Sequence, residues 1–262
     1  MDLNLTNKVA VVFAASKGLG KAAALYLAAE GCKVAICSRN EHNLKQAQAE
    51  LQKSSGSEVL THVVDVGKKS DIDNFIQMIV DKWQKIDILV TNGGGPPVKP
   101  FMDTDDEEWH TWFENTFMSV VRSIKAVIPS MQKNKSGRII NITSVSVKAP
   151  LENLIYSNSL RLGVVGLAKT LAAELGPYGI TVNNVAPGYH LTEGLERIIR
   201  TKVDMGFKRE EVLEQWTEKI PLRRIGLPDD LAGLITFLAS ERSSYITGAT
   251  IQVEGGMYSG VL

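Results

Sequence analysis

Several things are scarce in this sequence, and each scarcity closes off a class of function. Only two cysteines occur, Cys32 and Cys37. Their odd spacing sets them on opposite faces of a strand, which argues against a disulfide and fits a reducing compartment. The four histidines, His42, His62, His110 and His190, are scattered with no pair at ligand spacing and no cysteine beside them, so no metal site is expected. There is no excess of charge: 29 Lys and Arg balance 29 Asp and Glu, leaving no net field to recruit nucleic acid or an anionic membrane. No run of about 18 apolar residues is present to span a bilayer. The opening MDLNLTNK lacks the apolar core of a signal peptide. The expectation is a cytoplasmic protein with neither a membrane nor a nucleic-acid partner.

What the chain does have is alternation. Short apolar β runs at Val9–Phe13, Lys33–Cys37, Val59–Val64, Ile86–Thr91, Arg138–Ile142, Thr181–Val185 and Thr250–Val253 are separated by helical patterns. The clearest helix is Ser70–Lys85, with Ile72, Phe75, Ile76, Ile79 and Trp83 on one face; a long pattern covers Asp105–Gln132 and another Tyr156–Leu175. Near-continuous apolar strands alternating with helices predict an α/β fold: one doubly wound, seven-stranded parallel sheet with helices on both faces, in a single Rossmann domain over 1–262. The segment 189–228 departs from this rhythm, mixing Met205, Phe207, Leu213 and Trp216 with many charges.

Ligands in such sheets bind beyond the carboxyl ends of the strands. Polar and glycine-rich residues gather there: Ala14, Ser16, Lys17, Gly18, Leu19 and Gly20 after the first strand, Ser38 and Arg39 after the second, and Asp65 with Val66 after the third. Asn92, Gly93 and Gly94 follow the fourth, Ser144 the fifth, and Pro187 and Gly188 the sixth. The turn at 14–20 opens into an alanine-rich helix, and a helix start of that kind presents free N–H groups and partial positive charge, a seat for phosphate.

These motifs resemble those of the short-chain dehydrogenase/reductase family, and the likeness runs from about Leu5 to the C-terminus. AASKGLG is similar to the family's TGxxxGxG, TNGGG to its NNAG, and Asn115 in WFENTF to its helix asparagine. NITSVS, with Tyr156 twelve residues beyond Ser144, resembles its serine–tyrosine pair; NNVAPGYHLT resembles the motif that ends in a threonine, here Thr192, over the nicotinamide. The resemblance implies reduction of a carbonyl in a small molecule, such as a ketone or 3-oxoacyl compound. Ser144, Tyr156 and Asn115 would be catalytic and the segment 189–228 a substrate lid. It also implies a homodimer or homotetramer formed through the long helices.

Two positions depart from the family pattern. Ala14 replaces the first glycine of the turn, which is tolerable with a negative φ. The family's lysine four residues after its tyrosine is here Leu160, while Arg161 lies about 140° round the helix from Tyr156. A cation 4 to 5 Å from a phenol at an effective dielectric near 20 is worth roughly 3 to 4 kcal/mol, on the order of two pKa units. Without it Tyr156 stays protonated at neutral pH, able to act as an acid but poor as a base. Reduction is then the favoured direction, unless Lys148, Lys169 or the cofactor's ring supplies the charge. The alternative is a nucleotide-binding protein that has lost redox chemistry.

Other residues keep two readings each. Asn115 either takes part in a proton relay or braces its helix; Asp65 either contacts adenine or caps the following segment; His190 is either an alternative acid or a core residue. Arg39 is a surface charge or a clamp for a 2′-phosphate. With no acid at 38 or 39 and Lys17 in the turn, NADP(H) is expected in preference to NAD(H).

Overall fold

The computed structural model describes residues 2–204 and 206–261. The seven strands are β1 (Val9–Val12), β2 (Lys33–Ser38), β3 (Val59–Val63), β4 (Ile88–Thr91), β5 (Gly137–Ile142), β6 (Ile180–Pro187) and β7 (Thr250–Val253). They form one sheet in the order β3-β2-β1-β4-β5-β6-β7. Each neighbouring pair is parallel. The order reverses between β1 and β4, and that switch point opens a crevice at the carboxyl edge.

Helices cover both faces because the strands are apolar on both. On one face α1 (Gly18–Ala29), α2 (Glu41–Ser55) and α9 (Pro228–Ala239) enclose Val12, Leu27, Cys32, Ile36, Leu51 and Ile235. On the other, α3 (Lys69–Trp83), α5 (Ser119–Asn134) and α6 (Ile155–Leu175) enclose Phe13, Cys37, Phe75, Ile79, Trp83 and Val182. Each fully buried Leu, Ile or Phe is worth about 1.5–3 kcal/mol relative to exposure. Cys32 and Cys37 fall in opposite layers, both as free thiols, and burial pushes each up to about 12.

The expected 105–132 helix carries an irregularity. It runs as α4 (Asp106–Phe113), a π-helical turn at Glu114–Met118, and then α5. A π turn inserts one extra residue and shifts every side chain before it relative to those after it. Inside that turn Thr116 Oγ1 is buried with no hydrogen-bond partner. The 189–228 stretch contains α7 (Glu193–Asp204) and α8 (Arg209–Thr217), which share a small apolar cluster of Leu195, Ile199 and Val212 separate from both main layers.

Candidate active site

The first strand ends in a turn shaped for close approach. Gly18 has φ +57°, a conformation that costs a residue with a side chain. A Cβ on Gly20 would lie 2.7 Å from Asn92 Nδ2 and 2.8 Å from the Ala14 carbonyl, so only glycine lets the helix start this near β4. Asn92 in turn donates to the Ala14 carbonyl at 3.2 Å, bridging the switch point. Ala14 itself has φ +48°, not the negative value expected; it holds the left-handed turn that a glycine would adopt without cost. Helix α1 starts here with no side-chain cap at Lys17 and no acid in its first turn. By contrast α2 is capped by Asn40, and α9 carries Asp229 and Asp230 in its first turn. The start of α1 therefore leaves its N–H groups open to an anion, as the donor chemistry of a diphosphate seat requires. Ser16 is half-buried, and Leu19 packs on the first core.

Arg39 is exposed at the end of β2 and makes no ion pair among the described residues, while Ser38 Oγ donates to the Asn40 carbonyl. At the end of β3, Asp65 Oδ1 accepts from Gly67 N at 3.1 Å, which is the capping role of its two readings; Val66 is half-buried. Asn115 points to this same edge, since a Cβ on Gly67 would meet Asn115 Oδ1 at 2.6 Å. The structure thus sets Asn115 beside β3 and not in any hydrogen bond to Ser144 or Tyr156. Its carbonyl lies 3.4 Å from where a Cβ on Gly93 would stand, and Gly94 is exposed.

The polar groups past β5 differ from the expected pair. Ser144 Oγ accepts from Ser146 N at 3.1 Å, capping a short turn at Val145–Val147. Ser146 Oγ lies 3.1 Å from Ser157 Oγ. One turn further along α6, Arg161 Nη1 donates at 3.1 Å to the carbonyl of Ile142, the last residue of β5. Ser157 and Arg161 stand four apart and share a helix face. That face is the one turned to β5. Tyr156 lies about 100° away, fully buried, and its hydroxyl donates to Glu108 Oε2 at 2.8 Å. Trp109 meets its ring edge-on with centroids 4.7 Å apart, and Lys99 Nζ reaches the same carboxylate at 2.6 Å. Burial and the Glu108 bond push the Tyr156 phenol up to about 12. Lys99, then Tyr156, hold the Glu108 carboxyl below its usual range. Arg161, expected to be a poor geometric substitute for a lysine at 160, reaches the strand end; Leu160 is half-buried, and no polar role falls to it. Lys169 Nζ bonds the Gly248 carbonyl instead.

Sequence reasoning missed Ser157, Glu108 and Lys99, and weighed Arg161 only as a poor stand-in for a lysine at 160. The signal for Ser157 and Arg161 was their spacing of four, which sets them on one face of the helix.

At the end of β6, Pro187 is buried and Gly188 N bonds the Val253 carbonyl at 3.0 Å. Thr192 Oγ1 accepts from Leu195 N at 3.3 Å, and the Thr192 methyl stands 3.4 Å from the Cβ position of Gly18. Lys17 pairs with Glu193 at 2.8 Å, so the start of α7 sits on the glycine turn. A cavity of about 500 Å³ lies between the starts of α1, α7 and α9. His190 is buried with Nδ1 on the Gly188 carbonyl and Nε2 unpartnered, and burial lowers its pKa. Among the described residues no group of three or more His, Cys, Asp or Glu could hold a metal ion, and no described helix is long and apolar enough to cross a membrane.

The sheet order, the switch-point crevice and the open helix start define a Rossmann-type dinucleotide-binding protein. Within that class the chain belongs to the short-chain dehydrogenase/reductase family. Residues 13–258 match the family profile described as Enoyl-(Acyl carrier protein) reductase. The 3-oxoacyl-[acyl-carrier-protein] reductase of Staphylococcus epidermidis is 34% identical over 252 residues, covering 96% of this chain and 99% of that one. Dehydrogenase/reductase SDR family member 4 of Homo sapiens is 37% identical, covering 96% and 88%. In structure the chain is similar to L-sorbose reductase of Gluconobacter frateurii, solved with NADPH and L-sorbose, at a TM-score of 0.96 and 30% identity over 100% of both chains.

Proposed function

We propose that the protein reduces a carbonyl group of a small molecule to an alcohol, with NADP(H) as the hydride source. The observation that carries this reading is the uncapped start of α1 on one side of the switch point and the hydroxyl set past β5 on the other. When bound, the nucleotide supplies the hydride. The N–H groups of the 14–20 turn hold its diphosphate, and Arg39 beside Ser38 takes the 2′-phosphate as a planar fork. Asp65 and Val66 flank the adenine. Asn92, Gly93, Gly94, Pro187, Gly188 and Thr192 line the nicotinamide half.

Ser144 donates a hydrogen bond to the substrate carbonyl oxygen, and the Ser146–Ser157 hydroxyl pair continues that line of donors toward Arg161. A guanidinium here stabilises negative charge gathering on the oxygen as hydride is added, and the proton that completes the alcohol comes from the Ser144 hydroxyl, which solvent then re-protonates. Tyr156, protonated and bonded to Glu108, serves as a positioning residue in this scheme. Relatives that reduce 3-oxoacyl compounds and a neighbour solved with NADPH support the reaction class. Exposed Phe113 on α4 and Leu162 on α6 support a homodimer or homotetramer through these helices.

Engagement of the Tyr156 hydroxyl by Glu108 favours a second reading, a nucleotide-binding protein without redox turnover. A screen for NADPH consumption across ketones, oxo acids and quinones, paired with fluorescence titration of NADPH, separates the two. Saturable binding with no consumption would select the second reading. Arg39→Ala is expected to weaken NADPH binding about tenfold and leave NADH unchanged, the loss of one charge-assisted contact; equal loss for both nucleotides would remove Arg39 from the phosphate site.

A further inference from the structure

We infer that the cavity at the foot of the 189–228 segment is a binding site for a small primary ammonium ion carrying a short apolar chain. Carbonyl reduction does not need such a ligand, so the site is independent of the redox reaction. The cavity holds about 310 Å³, room for about ten water molecules, and its walls come from three places. His190 lines it from the start of the segment, Leu222, Arg224 and Gly226 from its end, and Val253 and Glu254 from the end of β7. The two ends of the segment are tied beside it, Leu191 N to the Gly226 carbonyl at 2.8 Å and Gly226 N to the Tyr189 carbonyl at 2.9 Å.

Two acceptors on these walls lack a donor. His190 is 5% exposed, and its Nδ1 lies 3.2 Å from the Gly188 carbonyl, which can only accept. The ring proton therefore sits on Nδ1, and Nε2, buried and without a partner among the described residues, is a bare acceptor. Gly226 keeps that edge of the ring clear, since a Cβ there would stand 3.0 Å from both Nε2 and Cδ2. Glu254 Oε2 accepts from Tyr258 N at 3.0 Å, and among the described residues its carboxylate meets no cation. The other carboxylate on the cavity wall is already used. Arg224 takes both oxygens of Asp230, at 2.6 and 2.9 Å, and Leu227 N bonds one of them, so this pair cancels its own charge. A bare ring nitrogen and an unpaired carboxylate call for an occupant that donates hydrogen bonds and is positively charged. No group of three or more His, Cys, Asp or Glu among the described residues could hold a metal ion, which leaves an organic cation. An ammonium offers three donors on a compact charge, and Leu222 and Val253 give its chain an apolar wall.

The test is direct binding to the full chain at neutral pH. The probes are n-butylamine and its neutral isostere n-butanol, followed by calorimetry and by the nitrogen NMR resonances of the His190 ring, for wild type, Glu254→Gln and Gly226→Ala. Wild type should bind the amine with a Kd on the order of 1 mM, within reach of so small a ligand. The alcohol should bind at least about tenfold more weakly, the worth of one charge-assisted contact. Bound amine should move the Nε2 resonance, because that lone pair then accepts a hydrogen bond. Glu254→Gln keeps an acceptor for Tyr258 N and should erase the preference for amine over alcohol. Gly226→Ala fills the space beside Nε2 and should weaken amine binding; it covers the case in which the glutamine variant fails to fold. Equal binding of amine and alcohol by wild type, an Nε2 resonance unmoved by bound amine, or a preference undiminished in Glu254→Gln overturns the inference. Absence of saturable binding by either probe leaves the cavity to water and overturns it as well. Turnover with NADPH, present or absent, bears on the reductase reading alone.

Discussion

An arginine stands at each end of β5, buried Arg138 within the strand and half-buried Arg161 reaching over from α6, and the two are bonded differently. At the amino end Arg138 is 9% exposed and donates to three carbonyls, that of Gly137 in its own strand and those of Gly179 and Ser240 in the segments beside it, a cross-brace for the closing turns. At the carboxyl end Arg161 has one carbonyl and spare donors. In a parallel sheet the amino edge is where polar groups can be used up on structure; the carboxyl edge is where they are left free for a ligand.

This contrast can be broken by experiment. The largest effect expected is at Arg138: Arg138→Ala removes three hydrogen bonds and the packing of a buried side chain, with the Ser240 carbonyl keeping only Ser243 Oγ, and should cost about 3 kcal/mol or more of stability, read as a lower urea midpoint. Activity per folded molecule should be unchanged. If Arg138→Ala were as stable as wild type, the brace would be discarded. Next in size is Tyr156→Phe. It removes one hydrogen bond to Glu108, which keeps Lys99, and should lower stability by about 1 kcal/mol with turnover within about threefold. A fall in turnover of a hundredfold would return Tyr156 to the reacting centre.

A pH scan tests the burial of the same layers by a separate route. Tyr156, Cys32 and Cys37 are all raised to about 12 by burial, so the unfolded chain releases these protons first, from about pH 9 for the thiols and about pH 10 for the phenol. In this window the native state holds more protons than the unfolded, and stability falls as pH rises from about 9 to 12. A flat urea midpoint across that range would contradict the burial of these groups. On the acid side Asp230 is held at about 2 by Arg224, so its contribution is present above about pH 4 and fades as pH falls toward 2.

Much of this was readable in the chain. The strand runs were legible because parallel strands buried on both faces are apolar throughout, and the order of turn residues located the carboxyl edge. Less legible was anything set by a single residue of register. The π turn at 114–118 adds one residue that no apolar periodicity reveals, and with it Asn115 faces Gly67. The same sensitivity governs α6, where a shift of one position turns the helix by about 100° and decides whether Tyr156 or Ser157 meets β5. A motif read by spacing alone carries that uncertainty. Ala14 shows the converse, since tertiary contacts hold an alanine where local preference asks for glycine.

Lys99, Glu108 and Tyr156 bear a mechanical consequence. They join the Gly-Pro loop after β4, α4 and α6 into one tied corner, whereas α7 and α8 are held by the small Leu195, Ile199 and Val212 cluster and by exposed ion pairs, Lys17–Glu193 and Arg209–Glu196, which contribute little. The crevice resembles a vise with one jaw bolted and the other sprung. Substitutions on the two walls should therefore differ in cost to the fold, those at the tied corner disturbing three elements at once and those on α7 and α8 only their own small cluster.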